Sequence, residues 1–92
     1  MAVMDDAEIR KALGALPGWS HTDDAISRDF TFDDFMGSVG FVNRLAEMAE
    51  AENHHPDLAI SWATVTVSWC SHSEGGVTDR DLAMASATDS LG

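Results

Sequence analysis

Basic residues are scarce in this chain: five Lys and Arg face 16 Asp and Glu, giving a formal net charge of −11. Such a surface repels phosphate backbones and anionic headgroups, which argues against nucleic-acid binding and against adsorption to an anionic membrane. Lys11 is the only lysine. Cys70 is the only cysteine, which excludes an intrachain disulfide and a zinc–thiolate cluster. No stretch approaches the roughly 20 apolar residues of a membrane-spanning helix. The N-terminal MAVMDDAEIRKA is too acidic and polar for a secretory signal. Repeats, low-complexity tracts and linkers are missing as well. What is left is one globular domain over residues 1–92, 45% hydrophobic, expected in the cytoplasm. A domain this small buries a limited share of its surface, so self-association would help it.

The apolar pattern alternates between two periods. Residues 5–16 predict a helix: Asp5 and Glu8 have capping-box spacing, Ile9, Leu13 and Leu16 share a face, and Pro17-Gly18 stops it. Trp19–His21 and Ala25–Phe32 predict two strands joined at Thr22-Asp23-Asp24, with Ile26, Phe30 and Phe32 on one parity. A second helix is expected from an N-cap at Thr31, with Asp34 at N3, to about Ala51. Its apolar face is Phe35, Val39, Val42, Leu45 and Ala49. Leu58, Ile60 and Trp62 alternate as a third strand. Val65, Val67 and Trp69 alternate as a fourth, with Thr64, Thr66, Ser68, Cys70 and His72 on the opposite parity. After a turn at Glu74-Gly75-Gly76, a last helix begins near Thr78, where Thr78 and Asp81 form a capping-box pair. The order α-β-β-α-β-β-α predicts an α+β fold: a four-stranded antiparallel sheet with helices packed on one face. Its exposed edge strand invites sheet extension across a dimer.

Four histidines are present, and two of them are adjacent in the stretch ENHHPD, residues 52–57. His54 and His55 fall where the second helix ends. His72 lies near the end of the fourth strand, in the polar Cys70-Ser71-His72-Ser73. A hairpin of strands three and four brings its two ends together, and with them the three imidazoles. Imidazole titrates near neutral pH, so two or three around one substrate can donate a proton at one atom and accept one at another. Glu50 and Asp81 are candidate partners that orient an imidazole. The competing reading of Asp81 is a helix cap and nothing more. Three imidazoles and a carboxylate could also ligate zinc. Adjacent residues point different ways, however, and the Cys/His spacings of structural zinc sites are missing. His21 is assigned no role, and Cys70 is read as a small, partly buried side chain.

These residues, taken together, resemble the pterin-4a-carbinolamine dehydratases over nearly the whole chain. The likeness rests on Glu50, His54-His55-Pro56, Trp62, Ser71-His72, Gly75-Gly76 and Arg80-Asp81 at uninterrupted spacing. Gly18-Trp19, Phe30-x-Phe32, Asp34-Phe35 and Gly40-Phe41 add to it upstream. The resemblance implies loss of water from 4a-hydroxytetrahydropterin to give quinonoid dihydropterin, which recycles the pterin of aromatic amino acid hydroxylases. It implies His54, His55 and His72 as the acid/base set, with Asn53, Cys70, Ser71 and Ser73 contacting the pterin and Glu50 and Asp81 in support. No metal or cofactor is implied, and the assembly is expected to be a homodimer or homotetramer. Ala63 and Leu58 depart from residues common in the family, and so does Cys70-Ser71. The alternative is a non-catalytic binding or assembly module on the same fold.

Overall fold

The computed structural model describes residues 2–92. Three helices, α1 (Asp6–Ala12), α2 (Phe35–Glu52) and α3 (Asp79–Asp89), pack on one face of a four-stranded sheet. The strands are β1 (Ser20–Thr22), β2 (Ala25–Thr31), β3 (Asp57–Ser61) and β4 (Thr64–Trp69). All pairings are antiparallel, in the order β1-β2-β4-β3. The α+β architecture expected from the sequence is the one observed.

Local chemistry accounts for the element ends. The Asp5–Glu8 capping box is present, with Asp5 N–H donating to Glu8 Oε1 at 3.0 Å and Glu8 N–H to Asp5 Oδ1 at 2.8 Å. The first helix is shorter than expected. It ends at Ala12 and tightens into a 3₁₀ turn over Leu13–Ala15, a common way to satisfy the last carbonyls before a chain reversal. The first strand is shifted by one residue, so that Trp19 packs in the core ahead of it.

The N-cap of α2 is Asp34, not Thr31: Asp34 Oδ1 accepts from Gly37 N–H at 2.8 Å. Thr31 cannot cap because the sheet still holds it. It pairs with Thr64, and Phe32 N–H donates to Ala63 O at 2.8 Å. Trp62 is not part of the third strand. With Ala63 it forms the tight β3–β4 turn, at φ 49°, and is 71% exposed.

Val65, Val67 and Trp69 are fully buried while Thr64, Thr66 and Ser68 face outward, as a strand with one covered face requires. The core joins them to Ile26, Phe30, Phe41 and Leu45, each such side chain stabilising the fold by about 1.5–3 kcal/mol on burial. Phe41 packs at 4.8 Å from Phe30 and 5.1 Å from Phe32, ring centroid to centroid. Asp89, near the end of α3, accepts from Trp19 Nε1 at 2.9 Å and pairs with Arg28 at 2.6 Å, fastening the last helix to the β1–β2 side. The alternation expected to run on through Cys70 and His72 stops at Trp69. Beyond it the chain leaves the ladder, and Cys70 and Ser71 both turn inward.

Candidate active site

The site lies where α2 hands over to β3 and β4 hands over to α3. Asn53, just past the last residue of α2, is in the left-handed region at φ 50°, ψ 43°. Asparagine tolerates that conformation, and the next amide then bonds back across the helix end, His54 N–H to Ala49 O at 3.1 Å. This turn sends His54 inward and His55 outward. On the opposite side, the loop after β4 is closed by Ser71 N–H to Gly76 O at 3.0 Å and Glu74 N–H to Ser71 O at 2.9 Å. Gly75, at φ 82°, supplies the left-handed residue that the turn needs.

Each of the three imidazoles meets its own carboxylate. His54 Nε2 lies 2.6 Å from Asp81 Oδ1, and its ring stacks on Trp69 with centroids 5.5 Å apart and planes at 15°. His55 Nε2 contacts Glu50 Oε2. His72 Nε2 lies 3.4 Å from Asp57 Oδ2. Their surroundings differ: the His54 side chain is 10% exposed, whereas those of His55 and His72 are 54% and 66% exposed.

Asp81 serves both of the roles weighed for it. Oδ2 accepts from Thr78 N–H at 2.9 Å, which caps α3, and from Ser71 Oγ at 2.9 Å; Oδ1 takes His54. A fully buried carboxylate is tolerated because these donors and the helix N-terminus replace its lost hydration. Ser71 Oγ also lies 2.8 Å from Thr78 Oγ1, so a connected polar network stands behind His54. Among the described residues no buried side-chain polar atom lacks a partner.

A cleft of about 390 Å³ opens between these segments. His54, His55 and His72 line it, as do Asn53, Cys70, Ser71 and Ser73. Glu50 and Asp81 stand beside and behind the imidazoles instead. Ser71 reaches the cleft while its hydroxyl is committed to Asp81 and Thr78. Cys70 is buried, and that burial, with the nearby carboxylates of Asp24, Asp81 and Asp57, pushes its thiol up from the usual cysteine value. Ala63 lies at the far end of the hairpin, and neither it nor Leu58 borders the cleft, so those departures do not touch it.

Residues outside the site set read from the sequence also belong here. Asp57 partners His72, a pairing implied by the hairpin because the start of β3 lies beside the end of β4. Glu74, Thr78 and Arg80 line the cleft. Arg80 Nη2 donates to Glu52 O at 3.1 Å and Asn53 O at 3.2 Å. Nothing in sequence spacing marks that contact. Each of the three histidines pairs with a separate carboxylate, and among the described residues no three His, Cys, Asp or Glu side chains form a metal-binding group.

Histidine–carboxylate pairs around one polar cleft, at the end of an antiparallel sheet covered by helices, form an arrangement chemically able to donate and accept protons. Comparison with known proteins gives the family. The family model for pterin 4 alpha carbinolamine dehydratase matches residues 2–91, and the chain belongs to that family. A provisionally named pterin-4-alpha-carbinolamine dehydratase of Mycobacteroides abscessus is 48% identical, covering 97% of this chain and 95% of its own length. One of Thermosynechococcus vestitus, also provisionally named, is 46% identical over 96% of this chain and 93% of its own. The solved structure of a transcriptional coactivator/pterin dehydratase from Brucella melitensis superposes with TM-score 0.91 at 37% identity, covering 97% of each chain. A pterin dehydratase-like RuBisCO assembly factor of the alpha-carboxysome shares the fold alone, at 18% identity and TM-score 0.66 over 79% of this chain and 84% of its own.

Proposed function

We propose that this protein dehydrates 4a-hydroxytetrahydropterin to quinonoid dihydropterin and so regenerates the pterin of aromatic amino acid hydroxylases. The observation that carries the proposal is the convergence of three carboxylate-partnered imidazoles on one cleft. The reaction needs a proton delivered to the C4a hydroxyl so that the C4a–O bond breaks and water leaves. It needs the N5 proton removed as the N5=C4a double bond forms. Atoms and charge balance with one imidazolium donating and one neutral imidazole accepting, each step typically worth about 10² to 10⁴ in rate. His55 and His72 are the exposed imidazoles at the mouth. His54 is the preorganised one, oriented by Asp81 and by stacking on Trp69. Asn53 and the Cys70–Ser73 segment would meet the pterin through backbone and side-chain polar groups.

Stopped-flow absorbance of quinonoid formation tests this. Wild type should accelerate dehydration, and His55→Ala or His72→Ala should each lose about 10²-fold or more in kcat. Folded wild type without acceleration would sink the proposal and favour the second reading, a non-catalytic binding or assembly module.

The same reading includes self-association. β3 is an edge strand bonded only to β4, and all five of its residues are exposed. Leu58 and Ile60 lie opposite Val67 and Val65, on the core face of the sheet, yet remain 39% and 44% exposed. A second copy laid antiparallel along β3 would pair the free ladder and cover both side chains, giving a homodimer or, by further pairing, a homotetramer.

A further inference from the structure

We infer that Arg80 is a positioning residue that locks the left-handed Asn53 and thereby sets the divergence of His54 and His55; its role in turnover rests on the dehydratase reading. The two carbonyls held by Arg80 Nη2, those of Glu52 and Asn53, belong to the two peptide planes that meet at the Asn53 Cα. Binding both to one nitrogen restrains the two dihedrals between those planes, φ 50° and ψ 43°. Asparagine tolerates that region without being confined to it, so a contact that restrains both dihedrals selects it there. These carbonyls stand at the C-terminal end of α2, where no further helical N–H reaches them and a cation is favoured.

The consequence reaches the imidazoles through the chain itself. Reversal at Asn53 decides that His54 enters the polar network while its neighbour faces Glu50. Arg80 therefore holds the backbone just ahead of His54, and the next residue, Asp81, holds the His54 ring. One turn of α3 thus grips the chain at two points, the Asn53 turn and the His54 ring. If Arg80 merely capped α2, its loss would lower stability and leave turnover intact. If it positions the imidazoles, its loss should act on kcat more than on KM, because small misplacements of reacting groups cost rate steeply.

The test pairs amide hydrogen exchange by NMR with stopped-flow dehydration, on wild type, Arg80→Ala and Arg80→Lys. Arg80→Ala should raise exchange of the His54 N–H, which bonds Ala49 O, by about tenfold with the β4 amides unchanged, and lower kcat by roughly tenfold at nearly constant KM. Arg80→Lys, whose ammonium can still donate to the carbonyls, should recover most of both. Unchanged exchange at His54 in Arg80→Ala would overturn the lock, and raised exchange with wild-type kcat would overturn the positioning role. If wild type itself does not turn over the pterin, the dehydratase reading fails, and the exchange arm alone decides whether Arg80 holds the turn.

Discussion

At one end of the β3–β4 hairpin polar groups are buried: Asp81 and Thr78 are fully enclosed, and His54 and Ser71 nearly so. At the other end apolar groups are exposed, with Trp62 at 71%, Phe35 at 49% and Ile60 at 44%. Both ends depart from the usual partition of side chains, in opposite directions, and only one departure is compensated within the chain. The buried carboxylate has three hydrogen-bond donors, a complete local account of why it is tolerated. The exposed apolar strip has no such account. The first end is therefore satisfied within the chain, and the second is the surface that the proposed homodimer would cover.

Breaking the buried end should give the largest effect. Asp81→Ala removes the acceptor from His54, Ser71 and the Thr78 N–H together, which should cost about 3–5 kcal/mol. Urea unfolding measures it, and a loss below about 1 kcal/mol would show that this carboxylate does not hold the network together. The apolar end gives the next largest effect. Ile60→Lys should dissociate the proposed homodimer into monomers in sedimentation velocity while leaving the far-UV circular dichroism unchanged. A wild type that is already monomeric at micromolar concentration would remove the contrast between the two ends. The smallest effect sharpens the boundary between them. Cys70 borders the cleft, but burial keeps its thiol neutral past the pH at which an ordinary cysteine ionises. Alkylation of the native protein at pH 8 should therefore run about tenfold slower than in urea and speed up only at more alkaline pH. Equal rates would mean that this wall of the cleft is open.

Much of this arrangement was legible in the residues because it is local. The alternation at Val65, Val67 and Trp69, the capping pairs Asp5–Glu8 and Thr78–Asp81, and the helix over Phe35–Glu52 depend on neighbours within a few positions. The convergence of His54, His55 and His72 followed from hairpin topology, which local pattern also supplies. The failures share a cause. Thr31 has the chemistry of an N-cap, but pairing with Thr64, far along the chain, keeps it in the sheet. Trp62 has the parity of a strand residue, yet the register Ser61–Thr64 makes it a turn.

The order of elements, the sign of the surface and the identity of the imidazoles are written in the residues, because each depends on composition or on spacing along the chain. Which carboxylate serves which histidine was settled by packing. Glu50 turned to His55, Asp57 to His72, and Asp81 divided its oxygens between a helix cap and His54. Those pairings, and the grip of Arg80 on the end of α2, depend on distances between segments that only packing brings together.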